Sequence, residues 1–153
     1  MATSERTGNF EFLKGEERFT HIYRVAALTE RLYHEDYATC IQGCRRAMEC
    51  AVKWIFSVDK SLQKPWEDNL ASYLGDMAFR KLVGEPLHQR LNLIRRFGNA
   101  ATHTHQEFKE EHALLCIKSL HILCCFMARC YSSVKPKGAY KEELLQLAQA
   151  LHT

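Results

Sequence analysis

Residues 113–130 form the most apolar run of this chain, and their ionisable interruptions are Lys118, His121 and Arg129. A membrane-spanning helix needs about 20 consecutive, predominantly apolar residues with few or no charges. The interrupted run therefore reads as a helix buried in protein, and no membrane span is expected. It is apolar nearly all round, so it belongs at the centre of a fold whose other parts are amphipathic.

The rest of the chain supplies such parts. Phe19, Ile22, Val25, Ala26, Leu32 and Tyr33 recur at helical spacing and predict a first helix over about 16–34. Asp36 is a good N-cap for a second helix ending near Val58. Ile41, Cys44, Met48, Ala51, Val52 and Ile55 form its apolar stripe, and Arg45, Arg46, Glu49 and Lys53 take the other face. A connector over 59–68 holds Pro65 and Trp66. Asp68 or Asn69 caps a short helix over 70–74, and a further turn covers 77–82. Pro86 suits the first turn of a third helix, on which Leu87, Leu91 and Ile94 share a face.

Gly98-Asn99 reads as the stop of that helix. Thr104 and Glu107 have capping-box spacing for the fourth helix, which carries the apolar run to Tyr131. Residues 132–138 form a polar linker, and 141–151 a last amphipathic helix detached from the core. The expected organisation is all-α. It comprises a leader over 1–8, a four-helix bundle of up-and-down type over 9–131, and a linker with an extra helix over 132–153. Seven Gly and three Pro are too few for a turn-rich β-sandwich.

Cysteine usage narrows the chemistry. The seven Cys (40, 44, 50, 116, 124, 125 and 130) are odd in number and include no CxxC pair. Neither a zinc ribbon nor a thioredoxin-type motif is suggested. Their apolar helical settings predict reduced core thiols in a reducing compartment. The N-terminus is polar, without the pattern of a signal peptide, so a cytoplasmic location is expected. No cofactor and no metal site are expected; His103 and His105 lack further ligands at suitable spacing.

The densest polar segment is Leu93-Ile94-Arg95-Arg96-Phe97-Gly98-Asn99-Ala100-Ala101-Thr102-His103. One reading is a metal-independent ribonuclease. His103 would exchange a proton with a ribose 2′-hydroxyl, Arg96 or Arg95 would stabilise phosphate charge, and Asn99 would orient them. The other reading is a helix stop, with Asn99 satisfying loose carbonyls and His103 tying the junction together. Arg45, Arg46 and Lys53 with Arg90, Arg95 and Arg96 would attract phosphates if they share a surface; otherwise they are solvated faces. Trp54 and Trp66 are aromatic enough to stack on bases, though Trp54 also follows the apolar stripe. A net charge of +3 is too mild to announce a nucleic-acid binder by itself.

Asn9-Phe10-Glu11-Phe12-Leu13, Cys44-Arg45-Arg46-Ala47-Met48-Glu49-Cys50-Ala51-Val52-Lys53-Trp54-Ile55 and the Leu93–His103 segment together resemble a known domain. This is the HEPN-like uncharacterised domain at the N-terminus of type I restriction enzyme R subunits and related helicases; Leu70-Ala71-Ser72-Tyr73-Leu74 also fits. The resemblance covers residues 9–131. It implies a HEPN-type four-helix bundle, often dimeric, in a parent protein whose DNA translocation and cleavage lie downstream. This chain has no GxxxxGK[ST] phosphate loop for ATP. Active HEPN ribonucleases pair Arg, a polar residue, three arbitrary residues and His. Asn99 and His103 match the last two, Gly98 stands at the Arg position, and Arg96 lies seven residues before His103. The resemblance thus implies a non-catalytic accessory domain that binds DNA or RNA or docks other restriction subunits or a helicase. The alternatives are a HEPN ribonuclease and a protein-interaction homodimer.

Overall fold

Asp36 begins the second helix by accepting hydrogen bonds from the Thr39 backbone N–H at 2.9 Å and its hydroxyl at 2.6 Å. These bonds hold the Asp36 carboxyl below its ordinary range. Such local signals place most elements of the computed structural model, which describes residues 8–136 and 138–145. In chain order the α-helices are α1 (Thr20–Leu32), α2 (Tyr37–Val58), α3 (Leu70–Gly75), α4 (Met77–Val83), α5 (Glu85–His103) and α6 (Glu110–Tyr131). Among the described residues there is no strand.

The expected long first helix is divided. Two 3-10 turns, Glu11–Gly15 and Glu17–Phe19, precede α1, and Glu16 between them has an extended backbone. Asn69, one of the two expected caps, accepts from the Ser72 N–H at 2.8 Å. Asp76 caps α4 in the same way through Phe79.

Cross-helix contacts give the topology. Phe19 meets Trp54 edge-on at 5.0 Å, so α1 and α2 run antiparallel. Gln42 donates to the Ala101 carbonyl at 2.9 Å, and Arg45 lies against Gly98, so α2 and α5 are antiparallel. Arg90 reaches Ser119, and Phe97 meets His112, so α5 and α6 are antiparallel too. The result is an up-and-down four-helix bundle, with α3 and α4 inserted between α2 and α5.

The centre of the bundle is α2 and not α6. It packs against α1, α5 and α6. Helix α6 is largely buried, but Leu115 and Ile122 show on its outer side. It is also the one described helix long and apolar enough to cross a bilayer, and 61% of the relevant window is buried inside the fold. Five of the seven free cysteines are buried, as expected; Cys50 is half-buried and Cys130 exposed. Burial pushes the Cys116 thiol up to about 12 and raises those of Cys44 and Cys124 well above their ordinary value, so they are packing groups and not nucleophiles.

Two further expectations change. Helix α5 runs through Gly98 to His103 with no left-handed residue there. A glycine in a helix interior costs up to about 1 kcal/mol relative to alanine, and close packing gives the reason for this one. A Cβ at Gly98 would lie 2.5 Å from Cδ and 2.7 Å from Cβ of Arg45. Gly43 does the same between α2 and α1, where a Cβ would lie 2.5 Å from the Thr29 hydroxyl. Helix α6 begins at Glu110 and not at Thr104; the Lys109 N–H donates to His112 Nδ1 at 3.0 Å. Thr104 instead donates to the Ala100 carbonyl at 2.7 Å and finishes α5.

The C-terminal segment is docked as far as it is described. The Tyr140 hydroxyl donates to Glu30 Oε2 at 2.5 Å. Asn9 accepts from the Lys141 N–H at 2.7 Å and donates to its carbonyl at 3.0 Å. Leu145 is buried, and its carbonyl lies 2.9 Å from His34 Nε2. The expected helix over 141–151 is present across 142–145, and the remainder lies outside the described residues.

Candidate nucleic-acid interface

Helix α5 carries Arg96, Asn99 and His103 at i, i+3 and i+7, which places them on one side of the helix. Arg96 and His103 are exposed and Asn99 is half-buried. Among the described residues, none of the three side chains has a hydrogen-bond or ion-pair partner. Because α5 does not stop at Gly98, Arg96 is not folded back towards His103. Two helical turns separate their backbones, about 10 Å along the axis. The three residues share a surface without forming a mutually hydrogen-bonded corner, and His103 ties nothing to the bundle.

The basic residues divide between two sides of α5. Arg45, Arg46 and Lys53 lie on the outer side of α2. The aliphatic stem of Arg45 crosses Gly98 of α5, and Arg95 is one helical turn from that contact. Arg45, Arg46, Lys53 and Arg95 border the α2–α5 seam, and Arg96, two residues before Gly98, projects from the outer side of α5. Glu49 and Asp68 are the carboxylates paired with them. Glu49 bonds Arg45 at 3.4 Å and Lys53 at 3.0 Å, and Asp68 lies 3.5 Å from Lys53. Four cations thus face two carboxylates at the seam. Glu49 holds the Lys53 ammonium above its ordinary range, while Tyr73 and then Lys53 hold Asp68 below its own. Arg90 does not join this group. It turns towards α6 and donates to the Ser119 hydroxyl at 3.2 Å.

The aromatic residues divide as well. Trp54 is half-buried between Phe19 and Tyr131, with the Arg18 guanidinium 5.3 Å from its ring centre. Trp66 is fully exposed on the connector, two residues before Asp68, whose ion pair with Lys53 fixes that connector beside α2. It therefore lies next to the Lys53 end of the cationic seam.

Sequence reasoning missed a second polar assembly. Glu30 is buried and accepts from the Asn9 N–H at 3.0 Å, the Asn9 side-chain amide at 2.8 Å and the Tyr140 hydroxyl. Next to it, His121 is buried among Phe10, Phe12 and Tyr140, all with edge-on rings, and 3.7 Å from the Cys125 sulfur. Burial pushes the His121 pKa down to about 4, so the imidazole is neutral at pH 7. Burial also raises the Cys125 thiol. The pair therefore lacks the imidazolium–thiolate character of a nucleophilic site. The available signal was the set of polar interruptions in the apolar run. The partners of Glu30 and His121, however, lie far away in sequence.

No group of three or more His, Cys, Asp or Glu suited to a metal occurs among the described residues. A family model described as a domain of unknown function, DUF4145, matches residues 27–150. Neither the curated proteins nor the solved structures contain a match.

Proposed function

This chain belongs to the DUF4145 family, and from that premise we propose that it is a non-catalytic accessory domain that binds nucleic acid through its α2–α5 face. The observation that carries the reading is the excess of cations along that seam, with an exposed Trp66 at its edge. Guanidinium and ammonium groups bind backbone phosphates and release counterions, and an exposed indole offers a stacking platform to an unpaired base. The Arg96–Asn99–His103 stripe extends the same surface with free hydrogen-bonding capacity. The resemblance to the HEPN-like domain of type I restriction R subunits supplies the context. In that setting the domain would hold DNA or RNA for a helicase and nuclease in the same chain or a partner subunit.

The test is fluorescence anisotropy with a labelled duplex DNA and a single-stranded RNA over a salt series. Arg46→Glu/Arg96→Glu is expected to weaken binding by about tenfold or more. It should also lower the slope of log affinity against log salt by about two. Wild-type protein that binds neither probe at low salt would replace this reading with subunit docking.

The HEPN ribonuclease reading is favoured by one observation, the common exposed side shared by Arg96, Asn99 and His103. Incubation with mixed RNA in chelator tests it. Products with 2′,3′-cyclic phosphate ends that disappear in His103→Ala would establish cleavage.

A further inference from the structure

Lys118, Ile122, Cys125 and Arg129 recur along α6 at i, i+4, i+7 and i+11, so one side of the helix carries all four. With Arg90 of α5 and Tyr140 of the C-terminal segment they line a cleft of about 410 Å³. That volume lies within the range of small-molecule sites, roughly 300–1,000 Å³. The cleft is separate from the cationic seam, because Arg90 turns away from α2 to reach Ser119.

Its charge is unbalanced. Among the described residues three cations line it, and the one carboxylate paired with them is Glu142, 2.5 Å from the Lys118 ammonium. Arg90 is held by a neutral hydroxyl. Arg129 is exposed and has no hydrogen-bond or ion-pair partner among the described residues. Its charge is nevertheless felt at His121 and Cys125, within the cleft. Ile122 is 38% exposed, an unusual position for a large aliphatic side chain, and it lies between the cations of α6. An anion alone would leave this apolar floor wet, and a purely apolar ligand would strip water from three charges without replacing it.

We propose that this cleft binds a small organic phosphate monoester, with its phosphate between Arg90 and Lys118 and its apolar body over Ile122 towards Arg129. The phosphate displaces Glu142 from Lys118. A carboxylate on the C-terminal segment therefore competes with the ligand, and occupancy is coupled to the position of that segment. Binding is non-covalent.

Isothermal titration of the full chain with 1-naphthyl phosphate, inorganic phosphate and 1-naphthol separates the contributions of head and body. The aryl phosphate is expected to bind at least about tenfold more tightly than either part. Lys118→Gln and Arg90→Gln should each weaken it by about tenfold, the scale of one charge-assisted hydrogen bond. Glu142→Gln should tighten it about threefold by removing the competitor. All three positions have exposed or partly exposed side chains, and an unchanged helical circular dichroism spectrum verifies folding. Equal affinity for inorganic phosphate and the aryl ester overturns the proposal, as does equal affinity for 1-naphthol, or unchanged binding in Lys118→Gln. Arg46→Glu/Arg96→Glu should bind the aryl ester like wild type. Loss of binding there would assign the ligand to the α2–α5 face instead. Failure of this proposal and failure of the nucleic-acid reading are thus read from different variants.

Discussion

The Arg96–Asn99–His103 stripe and the Asn9–Glu30–Tyr140 clasp have similar chemistry and opposite states. Each offers groups able to exchange protons or hydrogen bonds. In the stripe Arg96 and His103 are exposed, Asn99 is half-buried, and none of the three has a hydrogen-bond partner among the described residues. In the clasp the Glu30 carboxylate receives three hydrogen bonds and is shut away from solvent. Composition alone would rank the stripe as the site and overlook the clasp. Geometry assigns the stripe to an accessible surface and the clasp to cohesion, because buried polar groups stabilise a fold only when they are satisfied.

The sharpest way to break this comparison is Glu30→Ala. It leaves the Asn9 N–H, the Asn9 amide and the Tyr140 hydroxyl without their acceptor, and each orphaned buried donor costs about 1–3 kcal/mol. A loss of about 3–5 kcal/mol is expected in urea denaturation. A loss below about 1 kcal/mol would mean that water takes over and the clasp is no anchor.

Acidification acts next. The folded pKa of His121 is pushed down to about 4, below the ordinary value of 6.5. Between those values the unfolded chain carries a proton that the folded chain lacks, so stability rises with pH through this window. The contribution is complete above pH 6.5 and is lost as pH falls towards 4. The loss amounts to about 2–3 kcal/mol. His121→Gln should flatten that part of the stability profile; an unchanged slope would assign the effect to other groups.

Gly98 sharpens the comparison on the stripe's own helix. Gly98→Ala gains helix propensity but pushes a methyl into Arg45, so a net loss of about 1–2 kcal/mol is expected. Arg45→Ala in the same chain should recover most of it, and a double-mutant cycle with no coupling would refute the close contact. The smallest effect belongs to the stripe itself. His103→Ala should change stability by less than about 0.5 kcal/mol, measured by thermal or urea unfolding, since the side chain is exposed and unpartnered.

Much of the molecule is legible in the sequence. The stripe Ile41–Cys44–Met48–Ala51–Val52–Ile55 is buried, Asp36 and Asn69 cap the helices they were expected to cap, and the up-and-down order follows the expected four-helix plan. These features arise from interactions within a few residues, which leave a periodic trace in sequence. The failures share a cause. Gly98 has the residue type of a helix stop, but its role depends on Arg45, which lies on a different helix. Thr104 has capping-box spacing, yet its hydroxyl bonds backwards to Ala100.

Sequence by itself determined the helical character, the faces that must be buried, and the supply of cations on α2 and α5. Tertiary structure alone decided that Arg90 leaves those cations for α6, and that Glu30 meets Tyr140 across 110 positions of chain. Helical periodicity is a local property of the backbone. The choice of a hydrogen-bond partner across the fold depends on which helices pack together and how closely they approach.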